Sequence, residues 1–195
     1  MIPQRRIHHT GFTGGPLRRA TTWSSIAIAL VATGLSNSQA AEPAKGRVPT
    51  KVAVFDFELE DFTAGGPIAG ESPAETAHLK LITQEARRLL AQSGQYELVD
   101  TSKSTASNVR EHWLRKCNGC DADIAHELGA GQSFLGIMQK MSVLVHTLRF
   151  EIRDAATGRV IWNIQTDLRG DTDESWLRSV KYLIEEQLLA PARTQ

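Results

Sequence analysis

KVAVFDFEL, residues 51–59, is the stretch on which the fold turns. It is rich in β-branched and aromatic residues, and Val52, Val54, Phe55 and Phe57 place apolar groups at both parities. A strand apolar on both faces belongs inside a sheet that is covered on two sides. The reading is therefore one central strand over 51–59. It runs into EDFTAGGPIAGESP, whose glycines and prolines mark a long loop.

A helix follows, with a clear start. Ser72 is placed to cap it, Pro73 suits its first position, and Glu75 stands three residues after Ser72 as in a capping box. Leu79, Ile82, Ala86, Leu89 and Leu90 then recur at helical spacing until Ser93-Gly94 stops the run. YELVD (96–100) is a short strand. Residues 101–116 are predicted as a surface helix with Trp113 and Leu114 turned inward. A short amphipathic helix over 121–128, carrying Ala122, Ile124, Ala125 and Leu128, closes at Gly129.

Three strands come next, over 133–142, 145–154 and 159–168, the last two joined by the ATG turn at 156–158 into a hairpin. A final helix from near Asp173 sets Trp176, Val180, Leu183, Ile184 and Leu188 on one stripe. Trp113, Trp162 and Trp176 all read as core. The order defines an α/β (α+β) fold: a single mixed sheet of about five strands, part parallel and part antiparallel meander, covered by helices.

The N-terminus carries a different message. Arg5, Arg6, Arg18 and Arg19 stand in a leader without acidic residues, ahead of the apolar run WSSIAIALVATGL (23–35). Small Ser38 and Ala40 occupy the positions that signal peptidase reads, so cleavage between Ala40 and Ala41 is expected. The run is shorter than the roughly 20 residues a bilayer span needs. A signal peptide over 1–40, a flexible tail over 41–50 and a single periplasmic α/β domain over 51–191 follow. The mature chain then holds 18 basic and 22 acidic residues, a net charge of −4. Without a Lys/Arg cluster it has no electrostatic footprint for nucleic acid, and no later run is apolar enough for stable membrane insertion.

The only two cysteines, Cys117 and Cys120, lie in RKCNGCDADIAHELGA (115–130). In an oxidising compartment a structural disulfide is the plain reading. A redox pair is the alternative, because Cys120 precedes a helix whose dipole favours a thiolate. The helix-like, charged approach EHWLRK departs from the strand that precedes a thioredoxin-type motif. A third reading joins His112, Cys117, Cys120 and His126 as two nitrogens and two sulfurs around a metal. Asp121 directly after the second cysteine excludes covalent haem attachment.

Asp56, Glu58, Glu60 and Asp61 cluster at the end of the first strand, where oxygen ligands would suit a hard cation, but no EF-hand spacing is present. GGPIAG lacks the Gly-Lys-Ser/Thr ending of a phosphate loop, and no G-x-S-x-G surrounds any serine. Nothing in the residue pattern commits to catalysis or to a cofactor.

Four local features in one order carry a resemblance: KVAVFDFE, the cysteine segment leading into DADIAHELGA and a strand with Gly136, the hairpin FEIRDAATGRVIW, and a closing helix after DTDESW. Together they resemble an uncharacterised family of small secreted bacterial proteins carrying a domain of unknown function. More distantly they are similar to the fold of the TolB N-terminal domain, the curli-assembly protein CsgG and the lipoprotein activators of penicillin-binding proteins. The resemblance implies a non-catalytic periplasmic accessory or adaptor that binds another cell-envelope protein. A periplasmic thiol-disulfide protein and a metal-binding or trafficking protein are the alternatives left open by the residues. No lipid-anchor cysteine stands near the cleavage point, so outer-membrane attachment is not implied.

Overall fold

The computed structural model of the chain describes residues 48–190. The expected leader over 1–40, its cleavage point between Ala40 and Ala41, and residues 41–47 of the expected tail lie outside the described residues. The strands are β1 (Thr50–Val54), β2 (Glu58–Asp61), β3 (Tyr96–Val99), β4 (Gln132–Lys140), β5 (Val145–Asp154) and β6 (Val160–Arg169). The α-helices are α1 (Gly66–Ala69), α2 (Pro73–Gln92), α3 (Ser107–Arg110), α4 (Cys120–Glu127) and α5 (Asp173–Lys181). The strands form one sheet in the order β3-β1-β4-β5-β6, with β2 also on β4. Pairing is parallel among β3, β1, β2 and β4, and antiparallel through β4, β5 and β6. The mixed, helix-covered sheet expected from the sequence is present, with six strands rather than about five.

The sixth strand comes from a break in the opening stretch. Val54 lies opposite Phe134 and Glu58 opposite Ile137, so β1–β2 holds one residue more than β4 across the same interval. This is a β-bulge at residues 55–57. It reverses the side-chain parity: Val52 and Val54 share a core with Phe57 and Leu59, whereas Ala53 and Phe55 belong to the opposite one. Helix α2 satisfies the interrupted ladder. The Phe57 N–H donates to Thr83 Oγ1 at 2.9 Å, and Arg87, one turn on, donates to the Val54 carbonyl at 2.7 Å and to Asp56 at 2.9 Å. The bulge also requires Gly136 on β4, because a Cβ there would stand 2.6 Å from the Phe57 ring.

Two apolar cores sandwich the sheet. On one side α2 and the closing helix cover Val52, Phe134, Met138, Leu148, Phe150 and Ile152, with Trp176, Leu183 and Ile184 fully buried among them. On the other side, α4 and the preceding turns cover Ala53, Phe55, Leu135 and Ile137 through Leu114, Ile124 and Ala125. The start of α2 is the capping box expected from Ser72 and Glu75. The closing helix leaves α geometry at Tyr182 and runs as a π turn to Leu188.

Three local expectations are corrected. Residues 101–116 do not form one helix: a 3₁₀ turn (Thr101–Lys103), the single-turn α3 and a second 3₁₀ turn (Leu114–Lys116) replace it. Trp113 is exposed while Leu114 beside it is buried. Trp162 is also exposed, near the start of β6, which among the described residues is an edge strand paired with β5.

Candidate functional site

A cleft of about 440 Å³ opens between residues 59–71, which follow the bulge, and residues 111–116. Its rim carries two large aromatic side chains, Phe62 at 54% exposure and Trp113 at 53%. Exposed aromatics are costly to leave in water and are enriched where proteins meet partners.

Both walls are held from the sheet. On the 111–116 side the anchor is Glu58, only 1% exposed. The bulge turns Glu58 to this face. There its carboxylate accepts from the Leu114 N–H (2.7 Å), the Arg115 N–H (3.0 Å) and Arg115 Nη1 (2.9 Å). His112 is the one non-glycine among the described residues with positive φ, 53°. That left-handed turn reverses the chain so that Leu114 enters the core and Trp113 faces out.

On the 59–71 side, Asp61 accepts from the Thr63 N–H at 2.8 Å and pairs with Lys140 at 3.5 Å. Lys140 also bonds Glu75 at 2.6 Å, so the capping residue of α2 ties this wall to β4. Burial works against the charged form of Asp61, but the Thr63 hydrogen bonds and the Lys140 charge outweigh it and hold the carboxyl below its usual range. The same opposition ends the same way at Glu75, where the Lys140 and Ser72 hydrogen bonds prevail.

The rim continues into the β4–β5 turn. The Phe62 N–H donates to the Lys140 carbonyl at 2.9 Å, and the next residues, Met141, Val143, Leu144 and Val145, are all exposed and apolar. One end of the sheet thus gathers a run of unburied apolar side chains next to the cleft.

The four carboxylates considered as a cation cluster do not converge. Asp56 goes to Arg87, Glu58 to Arg115, Glu60 to Gln139 and Asp61 to Lys140. Strand alternation and the bulge send them to different faces. A second cleft, of about 410 Å³, lies at the C-terminal ends of parallel β1 and β3. Its polar groups already satisfy one another: Arg87 serves Val54 and Asp56, and Asp100 accepts from Ser102.

Cys117 and Cys120 are joined to each other, and both pack against the core beneath α4. The residues between them are fixed by Arg153 of β5, which donates to Asn118 Oδ1 at 3.3 Å and to the Gly158 carbonyl at 3.0 Å. Arg153 also faces Asp121 at 3.6 Å, and Asp121 accepts from Ser133 Oγ. Burial raises the Asp121 carboxyl above its usual range despite Ser133 and Arg153. The residue that excludes haem is thus the buried foot of α4. With the sulfurs bonded to each other, and with no group of three or more His, Cys, Asp or Glu side chains arranged for a metal among the described residues, His112, Cys117, Cys120 and His126 are not assembled as a ligand set. His112 instead shapes the cleft wall, and His126 is exposed on α4.

This is an open mixed sheet with helices on both faces, parallel at one end and a meander at the other. It is similar to the hypothetical protein CT253 from Chlamydia trachomatis (TM-score 0.50, 10% identity, 71% of this chain and 95% of that one). It is also similar to the LpoB C-terminal domain from Escherichia coli (TM-score 0.44, 16% identity, 64% and 87%) and to TolB from Acinetobacter baumannii (TM-score 0.40, 11% identity, 72% and 28%). The chain belongs to the family DUF3280, described as a protein of unknown function (DUF2380), which matches residues 50–188. The resemblance drawn from the sequence to a family of unknown function is met. No curated protein matches the chain. Among the described residues no helix is long and apolar enough to cross a membrane.

Proposed function

We propose that this protein is a non-catalytic accessory of the bacterial cell envelope, exported to the periplasm, which docks another envelope protein at the cleft between residues 59–71 and 111–116. One observation carries this reading: Phe62 and Trp113 stand more than half exposed at the rim of a cleft whose walls are both pinned to the sheet. Side chains held in place before binding lose little entropy on contact, which is what makes aromatic anchors effective at interfaces. The leader-like residues 1–40 supply the compartment. The reading rests on the cleft and the leader, not on the distant structural likenesses.

A test by deletion of the 60–70 loop would remove half of β2, so point substitutions are the cleaner probe. Phe62→Ser combined with Trp113→Ser should lower recovery of the cross-linked envelope partner by about tenfold or more, the scale of one or two interface anchors. Both residues are exposed, so the melting temperature should stay close to that of the parent. Unchanged recovery would remove the cleft from consideration.

On the same reading the Cys117–Cys120 bond is a clip that fixes the turn ahead of α4. Its loop is very short, so chain entropy gives it about 2 kcal/mol. The Cys117→Ser/Cys120→Ser variant should lose stability of that order. The purified protein should show no free thiol and keep the bond in millimolar glutathione. Ready reduction together with disulfide-exchange activity would favour the thiol-disulfide alternative instead.

A further inference from the structure

We propose that the cleft receives a basic segment of the partner protein, with a lysine or arginine side chain seated against Phe62 and Trp113 and neighbouring apolar side chains resting on Met141, Val143 and Leu144. This deepens the docking reading and depends on it. The charge inventory points the way. Glu60, Asp61, Glu71 and Glu111 line the cleft against Arg115 and Lys116. Asp61 is already matched by Lys140 at 3.5 Å, and Arg115 by Glu58 at 2.9 Å.

Glu60 and Glu71 accept only neutral hydrogen bonds, from the Gln139 amide and the Thr76 hydroxyl. Neither they nor Glu111 has a cationic partner among the described residues. Against Lys116 alone, the cleft therefore keeps two negative charges beside two aromatic rings. Aromatic faces attract cations, and a nearby carboxylate gives the same cation a charge-assisted hydrogen bond. An anionic ligand would be repelled, and a purely apolar one would strip water from Glu60 and Glu71 without replacing it.

The neighbouring surface favours a peptide over a small amine. The Phe62 N–H bond to Lys140 sets the apolar β4–β5 turn directly beside the rim, giving a second contact area beyond the cleft. A membrane is the weaker occupant. Asp171, next to the Gly170 N–H that bonds Leu144, together with Glu71 and Glu111, would face anionic headgroups with the same sign of charge.

The probe is a fluorescent peptide of repeated Arg-Leu-Ser units, compared with a counterpart carrying Glu in place of Arg, each titrated with the purified protein. The basic peptide should bind and the acidic one should not. Glu60→Gln/Glu71→Gln/Glu111→Gln should weaken binding about tenfold, the combined effect of lost cation contacts. The remote Glu127→Gln/Glu185→Gln/Glu186→Gln variant, with the same change in net charge, should leave binding within about twofold, as expected for a screened long-range effect. Equal weakening by both variants, or no binding of the basic peptide, overturns the proposal. So does binding to phosphatidylglycerol vesicles that Val143→Ser/Leu144→Ser abolishes while the peptide stays unbound. If Phe62→Ser/Trp113→Ser still costs capture of the envelope partner when the basic peptide fails, the docking reading stands and only the basic segment falls. If capture is unaffected, the docking reading falls as well.

Discussion

Glu58→Ala should cost about 3–4 kcal/mol of stability, the range for removing one partner of a buried, hydrogen-bonded ion pair. The carboxylate is almost fully buried and accepts three hydrogen bonds from residues 56 and 57 positions further along the chain. Without it the Leu114 and Arg115 N–H groups lose their acceptor, and among the described residues the Arg115 guanidinium keeps only the His112 carbonyl. The damage should be local as well as global. Amide exchange at 114 and 115 should speed up before the rest of the domain opens, because among the described residues Glu58 supplies the hydrogen bonds that hold this segment to β2. Glu58→Gln, which preserves shape and one carbonyl acceptor, should lose less. Equal melting temperatures for parent and Glu58→Ala would show that the wall is held some other way.

Gly136→Val should be comparably harmful, at about 3 kcal/mol, the upper range for overpacking a filled core. The first added carbon would already stand 2.6 Å from three atoms of the Phe57 ring. That ring has nowhere to move. It lies 6.1 Å from Phe134 and 5.5 Å from Phe150, centroid to centroid, and its backbone N–H is held by Thr83. A β-branched residue ordinarily suits a central strand, so propensity predicts the opposite sign and the steric conflict decides. Shrinking the ring should relieve part of the loss. Gly136→Ala with Phe57→Leu is expected to be more stable than the sum of the two single changes. Strict additivity would mean that the glycine and the ring are not in conflict.

These two positions also show where residue patterns stop being informative. The capping box at Ser72 and Glu75, the β5–β6 hairpin and the stripe of Trp176, Val180 and Leu183 were legible because each is fixed by residues within one or two turns of one another. The bulge was not. In KVAVFDFEL apolar residues stand at both parities, so the stretch carries no phase that an extra residue would visibly break. What selects the bulge is an acceptor from Thr83 for the Phe57 N–H and a donor from Arg87 for the Val54 carbonyl, some 30 residues away.

The helix expected over 101–116 failed for a related reason. Its composition permits a helix, but Glu58 binds the N–H groups of Leu114 and Arg115 across the fold. The same contact turns Leu114 in and Trp113 out, against the usual expectation that tryptophan is core. The cleft was therefore visible in the sequence only as a Gly/Pro-rich loop, and its second wall was not visible at all. The cysteine pair was legible as a bonded pair, because only two cysteines stand three residues apart. The role of Asp121 as a buried anchor under Arg153 was not, since Ser133 and Arg153 reach it from two separate strands.

Photo-cross-linking in living cells puts the docking cleft to its most direct test. A photoreactive amino acid at position 62 or 113, with one at exposed Glu127 as the remote control, should join the protein to one and the same envelope protein from both cleft positions and not from position 127. Adducts of equal yield from all three positions, or none from 62 and 113, would contradict a docking role for the cleft.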